Sequence, residues 1–233
     1  MHARRLSRRR EPGLERDERR SLTRVGGITV FSEPTARAVG VHAMPAWKLM
    51  LGRDAPLQVM VEHGTEEGWA LLVPPGLANS AVARGAYTAA LIDPGYARGE
   101  STDGVVDLGR RRARHLVEEL DAGHGSGLLT GTNDVLTEDE SFLGVVLRET
   151  TSATTIERLS SRLGVSRQHA RRLIRIHTGC TFGEIVRWRR LCDAVLLLPR
   201  APIAVAASQT GFADQAHLTR TSSAMVGRTP GTL

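Results

Sequence analysis

Ser166 and Asp214 stand 48 residues apart, each just beyond a glycine-containing turn, and each is followed five and six positions on by side chains able to bond a base edge. Those are Arg171 and Arg172 after the first, and Thr219 and Arg220 after the second. The lead-ins match as well: Leu159, Leu163, Gly164 and Val165 precede one, and Ala206, Ala207, Gly211 and Phe212 precede the other. Arginine offers a two-pronged donor to guanine, and glutamine a paired donor and acceptor to adenine. Each good pair discriminates by roughly 1–3 kcal/mol. Two copies of such a constellation point to duplex DNA.

The local elements needed to position these groups are legible. Leu159 and Leu163 fall on one helical face, Gly164 can turn the chain at positive φ, Val165 fills the joint, and the Ser166 hydroxyl can cap the next helix. In that helix Ala170, Leu173 and Ile174 recur at three and four and face inward, leaving Gln168, Arg171, Arg172 and Arg175 on the opposite stripe. The second copy is leaner: Gly211 and Phe212 turn, Asp214 caps, and Gln215, Ala216, Thr219 and Arg220 form the outward stripe. Ala216 can give only an apolar contact, such as one to a thymine methyl.

The last hundred or so residues resemble the AraC family of bacterial transcriptional regulators. The likeness is carried by Leu163-Gly164-Val165-Ser166, Arg172-Leu173-Ile174, His177-Thr178-Gly179-Cys180-Thr181-Phe182, Trp188-Arg189-Arg190-Leu191 with Ala194, Pro202-Ile203, Gly211-Phe212-Ala213-Asp214-Gln215, His217-Leu218-Thr219-Arg220 and Gly227-Arg228-Thr229-Pro230. The resemblance implies two helix-turn-helix modules on one long helix, here expected over 181–198, that read successive major grooves. It makes RNA polymerase a candidate partner. The chain departs from the family at Ile174, Ser222 and Val226, where phenylalanine is usual, and at Ala206, where isoleucine is. Loss of large side chains predicts a looser second module, since a buried phenylalanine deletion costs ~3–5 kcal/mol.

Charge supports the partition. Net charge is +5 over residues 1–24, −4 over 25–136 and +5 over 137–233, and residues 151–190 hold nine basic residues against two acids. Attraction to phosphate therefore concentrates on the first module and the joining helix.

Residues 1–24 are arginine-rich and almost without apolar side chains, and read as a disordered basic tail. Two readings of that tail stand: an arm adding nonspecific attraction to DNA, or a solvated extension, including one created by a start codon placed too early. From Gly26 to Pro94 short apolar stretches alternate with Gly and Pro. Residues 38–41, 47–51, 57–61, 69–73, 81–83 and 88–92 read as strands of a small barrel or sandwich. This stretch weakly resembles the cupin-like sensor domains placed before such DNA-binding units.

A metal-binding cupin needs a set of histidines and a carboxylate that this chain breaks at Met44 and Asn79. His42 and His63 are expected to be ordinary strand histidines, with no metal and no cofactor. Trp47 and Trp69 either line an inducer pocket inside the barrel or are simply core.

Residues 108–120 form a candidate helix with an apolar stripe of Ala113, Leu116, Val117 and Leu120, which either packs on the barrel or pairs with a second copy in a homodimer. The four glycines in 121–133 read as a linker, and Thr137-Glu138-Asp139-Glu140 as a capping box opening the DNA-binding unit.

The expected architecture is an α+β multidomain chain: tail 1–24, cupin-like sensor or dimerisation domain 25–121, linker 122–136, and an all-α double helix-turn-helix domain 137–233. No apolar run reaches membrane-spanning length and none follows the basic start as a secretory signal would, which predicts a soluble, cytoplasmic protein. Cys180 and Cys192 have neither disulfide nor metal spacing. The leading function is a sequence-specific, effector-responsive transcription regulator and not an enzyme. A nonspecific architectural DNA binder and a cupin enzyme with a DNA-binding appendage are the alternatives.

Overall fold

The computed structural model describes residues 21–99, 104–123 and 127–233. The basic tail expected over 1–24 lies outside the described residues as far as residue 20. Residues 21–24 are not tail: Ser21–Val25 is strand β1, paired antiparallel with β2 (Ile28–Glu33).

The strands that follow are β3 (Arg37–His42), β4 (Trp47–Gly52), β5 (Leu57–Val61), β6 (Gly64–Gly68), β7 (Ala70–Val73), β8 (Asn79–Ala83), β9 (Tyr87–Ile92), β10 (Ala97–Gly99) and β11 (Val106–Asp107). They form a six-stranded sheet ordered β1-β2-β9-β4-β7-β11 and a four-stranded sheet ordered β3-β8-β5-β6. The inner core joins Met50, Leu71, Tyr87 and Ala89 of the first sheet to Leu57, Val59, Ala81 and Ala83 of the second. Strands β5 and β8 alternate buried and part-exposed residues because only one face is covered. Strands β4, β7 and β9 are buried throughout. Their outer face, with Trp47, Leu49, Leu51, Leu72 and Ile92, is roofed by helix α1 (Arg110–Asp121) and the short α2 (Gly127–Thr130).

That roof settles three local expectations. The α1 stripe of Ala113, Leu116, Val117 and Leu120 packs within the same chain. The glycine-rich stretch is not a free linker over its second half, since Leu128 and Leu136 are fully buried in the barrel's outer core. Thr137 and Glu138 do not open a helix. They lie in β12 (Leu136–Glu138), paired with β10, and the helix starts later with Ser141 as cap, its side chain accepting from the Gly144 N–H. The strand pairing takes up Thr137, the residue that a capping box would need as its cap.

The helical half comprises α3 (Phe142–Arg148), α4 (Ile156–Leu163), α5 (Arg167–Thr178), α6 (Phe182–Leu197), α7 (Ile203–Gln209) and α8 (Gln215–Val226), ending in a 3-10 turn, Pro230–Thr232. Helix α6 opens with a reciprocal capping box, Thr181 with Glu184. Its C-terminal half, through Trp188, Leu191 and Ala194, joins Ala207, Phe212, Leu218 and Met225 of the second module in one core. The barrel contributes Met44, Ala46 and Leu91 to that same core. Apolar volume that the missing aromatics would supply thus comes from another domain, and Ser222, fully buried, donates its hydroxyl to the Arg228 carbonyl at 2.6 Å.

Polar contacts fix the two halves together. Asp93, at the end of β9, is fully buried and accepts from the Trp188 indole at 2.6 Å and from the guanidiniums of Arg189 and Arg24. Arg228 donates to Glu33 at 2.5 Å. The Ala43 N–H donates to the Ala224 carbonyl at 3.0 Å, joining the loop after β3 to α8. Gly227 (φ +70°) lies so close to β3 that a Cβ would sit 2.4 Å from Val39 Cγ1. Replacing Asp93 by Ala leaves the buried Arg189 guanidinium, the part-buried Arg24 guanidinium and an indole N–H without their acceptor. Denaturant unfolding should show a loss of about 3–5 kcal/mol; a loss below about 1 kcal/mol would contradict the central role given to this carboxylate.

Candidate DNA interface and interdomain cavity

Both turns form as their residues require. Gly164 and Gly211 sit at φ +66° and +81°, in the region that favours glycine. Ser166 caps α5 through the His169 N–H at 3.2 Å, and Asp214 caps α8 through the His217 N–H at 2.6 Å. On α5, Ala170 and Ile174 are fully buried while Gln168, Arg171, Arg172 and Arg175 are exposed. On α8, Gln215, Ala216 and Arg220 are exposed; Thr219 is half-buried and turns its hydroxyl back to the Gln215 carbonyl at 2.9 Å. Arg171, Arg172 and Arg175 also border a groove of about 600 Å³ with Ile176 and Phe182.

Helix α6 bridges the modules, packing on α5 near its start and on α7 and α8 further along. At 16 residues it is about 24 Å long, and with a helix of ~10 Å diameter at each end it spans a distance comparable to the ~34 Å turn of duplex DNA. Arg190 on α6 steadies the second turn, donating to the Gly211 carbonyl at 3.1 Å.

A second feature was not foreseen. A cavity of about 480 Å³ lies between the barrel and the helical half, walled by Phe31, Met44 and Leu91 on one side and Leu191, Val195 and Ile203 on the other. Its size falls in the ~300–1,000 Å³ range of small-molecule sites. It is not enclosed by the barrel alone, and Trp47 and Trp69 do not line it: both belong to the outer core, where the Arg110 guanidinium stacks 4.3 Å from the Trp69 ring.

The broken cupin positions have a physical occupant. Lys48 is buried in β4, and its ammonium donates to His42 Nε2 at 3.0 Å and to Asn79 Oδ1. The His42 Nδ1 lies 2.7 Å from the Gly40 carbonyl, so Nδ1 carries the proton and Nε2 accepts. The donor atoms that a cation would need are committed to an ammonium. Burial pushes Lys48 down to about 7, and burial followed by the Lys48 charge pushes His42 down to about 4. Burial pushes the Cys180 and Cys192 thiols up to about 12, which makes them packing groups. His63 is exposed and outside this network. Among the described residues no group of three or more His, Cys, Asp or Glu converges to hold a metal.

Comparison with known proteins agrees with this geometry. Residues 159–233 match the family described as a helix-turn-helix domain. The chain is 36% identical over 67 residues to Probable transcription factor PqrA of Proteus vulgaris, covering 28% of this chain and 55% of that protein. It is 33% identical over 72 residues to multiple antibiotic resistance protein MarA of Escherichia coli, covering 30% and 57%. The chain thus spans just over half the length of the curated relatives it matches. Over 88% of this chain the fold is similar to that of ToxT from Vibrio cholerae, covering 96% of that chain, with TM-score 0.59 and 12% identity. Residues 159–233 thus form a helix-turn-helix domain, and the arrangement of a barrel followed by this domain is similar in fold to the ToxT structure.

Sequence reasoning missed Lys48, Asp93, Glu33 and Arg228. One signal was present for Lys48: it interrupts the apolar run Trp47–Leu51 at a place where a lysine must be buried.

The Lys48 shift has a pH signature. Its folded value, about 7, lies below its ordinary 10.5, so the unfolded chain holds the proton more tightly and unfolding takes up protons between those values. Stability should therefore rise with pH from about 7 toward 10.5, by up to about 1.4 kcal/mol per pH unit. In Lys48→Met that component should vanish in denaturant titrations at pH 7 and 9. Parallel pH profiles for the two proteins would show that Lys48 is not desolvated in the fold.

Proposed function

We propose that the chain is a sequence-specific regulator of transcription that reads duplex DNA with α5 and α8 and responds to a small apolar molecule held between its barrel and its DNA-binding domain. The observation that carries the DNA-reading role is the exposed stripe Gln168, Arg171, Arg172 and Arg175 on a capped helix whose opposite face is buried. Gln215, Ala216 and Arg220 supply the second reading surface, and the half-buried Thr219 contributes its methyl edge. The relatives' names, a transcription factor and an antibiotic resistance protein, accord with this role. ToxT has been solved with (E)-4-(8-methylnaphthalen-1-yl)but-3-enoic acid bound and, separately, with an unsaturated fatty acid bound. Both ligands are carboxylic acids with a large apolar part, and they support the effector-responsive reading.

In this reading the protein is not an enzyme, works in the cytoplasm, and engages RNA polymerase at promoters. No helix among the described residues is long and apolar enough to cross a membrane. A second copy of the chain, as homodimer partner, would have to use a surface other than the α1 stripe, which is spent inside the chain.

Selection of bound fragments from a genomic library, followed by affinity measurement on the selected site, tests the proposal. Arg172→Ala should weaken that site by about 1–3 kcal/mol while leaving random duplexes nearly unchanged. Arg187→Ala, exposed on α6, should weaken all duplexes alike. Equal affinity of the unaltered protein for unrelated duplexes, with a steep salt dependence, would instead establish a nonspecific binder.

A further inference from the structure

Of the 31 lysine and arginine side chains in this sequence, Lys48 is the only lysine. Every other one is an arginine, whose guanidinium cannot give up its proton in a protein. The single side-chain amine is not at the surface. It projects from the same face of β4 as Met50, is 5% exposed, and borders the interdomain cavity together with its neighbour His42. The cavity's other cations, Arg24 and Arg228, are each paired with a buried acid, Asp93 and Glu33. The partners of Lys48 are neutral: His42 Nε2 at 3.0 Å and Asn79 Oδ1. Burial pushes its ammonium down to about 7, so near neutral pH about half of the molecules carry the free amine.

Hydrogen bonding decides what that free amine can do. Both of its N–H bonds have acceptors, one on His42 and one on Asn79, because His42 keeps its own proton on Nδ1, facing the Gly40 carbonyl. The nitrogen lone pair is then the direction left over. An uncharged amine held by its hydrogens, with its lone pair open, is a nucleophile toward a carbonyl carbon. On the barrel side the cavity wall includes Met50, Ala81 and Ala89, which suits a hydrocarbon substituent on that carbon.

We infer that Lys48 forms an imine with an apolar aldehyde in the cavity, and that this adduct is the signal passed to the second helix-turn-helix module. The lone pair attacks the aldehyde carbon and one nitrogen-bound proton moves to the carbonyl oxygen; the resulting hydroxyl then leaves with the second proton as water. No oxidant, reductant or cofactor is needed, and hydrolysis reverses the reaction. This rests on the effector reading above and names its chemical class. Imine formation takes the N–H donors away from His42 and Asn79. His42 lies against the chain just past α8, where a Cβ on Gly227 would stand 2.9 Å from its Nδ1. The adduct would thus release a ring that borders the docking of α8 on the barrel.

Reductive trapping on the full chain at pH 7 tests the assignment, with octanal as apolar probe, glyceraldehyde as polar probe and cyanoborohydride to fix any imine. Peptide mass mapping locates the label. The α-amino group is the internal reference, since its ordinary value of about 8 leaves it partly uncharged at that pH. The ratio of Lys48 to α-amino labelling should be at least about tenfold higher with octanal than with glyceraldehyde, and octan-1-ol, which cannot form an imine, should lower it by competition. Octanal without reductant should change affinity for the selected DNA site. In Lys48→Met that change should vanish, while octan-1-ol binding by calorimetry, which also reports an intact fold, is retained. Equal labelling ratios for the two aldehydes, or label on the α-amino group alone while octan-1-ol still binds, overturn the imine and leave the cavity reading standing. An octanal effect on DNA affinity that persists in Lys48→Met does the same. Failure of octanal to label Lys48 and of octan-1-ol to bind the unaltered protein removes both.

Discussion

One carboxylate decides how the two halves of this molecule sit together. Asp93 is fully buried and accepts from an indole and two guanidiniums, so nearly all of its lone-pair directions are used. A buried carboxylate is costly unless it is paired and hydrogen-bonded. Trp188 and Arg189, adjacent on α6, can meet it only when that helix lies against the end of β9. Arg24 meets it from β1, which ties the edge of the first sheet to the same point. The polar node thus prescribes a geometry, and the apolar contacts around it supply the adhesion.

Those apolar contacts make the second helix-turn-helix module dependent on the barrel. In a free-standing module, Ser222 and Ala206 would leave space where larger side chains usually pack. Here Met44, Ala46 and Leu91 reach in from the barrel and join Trp188, Leu218 and Met225. The first module has no such dependence: Ile156, Leu159, Ala170, Ile174 and Ile185 close a core drawn wholly from the helical half. The two helix-turn-helix modules therefore differ in kind. One is self-contained and strongly basic; the other is completed by the domain that carries the cavity.

How much of this was written in the sequence depends on the range of the interaction. Ser166, Asp214, Gly164 and Gly211 act within one turn of chain, and their roles follow from their neighbours. The exposed and buried stripes of α5 follow from helical periodicity alone. The six barrel strands expected from apolar runs and breakers all exist, because Pro and Gly mark their ends. Strands β1, β2, β6, β10, β11 and β12 escaped; of these, Ser21–Val25 and Gly64–Gly68 are largely polar strands at sheet edges, and β10, β11 and β12 are only two or three residues long. Thr137 to Glu140 misled for a related reason: a local capping pattern lost to a pairing with β10, 39 residues away in the case of Thr137 and Arg98. Asp93, Glu33 and Arg228 were silent because each finds its meaning in a partner far along the chain, up to 195 residues for Glu33 and Arg228.

The cavity and the docking surface are the same place, and this has a mechanical consequence. Glu33, Arg228, Trp188, Leu191 and Cys192 all line the cavity, and each also belongs to the contact between the barrel and the helical half. Packed interfaces respond to a change in volume or charge by shifting between discrete arrangements. A molecule entering here bears on the module completed by the barrel. The self-contained first module, whose core shares no residue with the cavity wall, is insulated from it. Control of such a protein would thus act on the geometry of the second reading head relative to the first, which suits a system in which duplex DNA must be gripped at two successive grooves at once. In the proposed reading the basic first module would hold the duplex through phosphate attraction, and a correctly set α8 would add the second groove and with it the longer sequence.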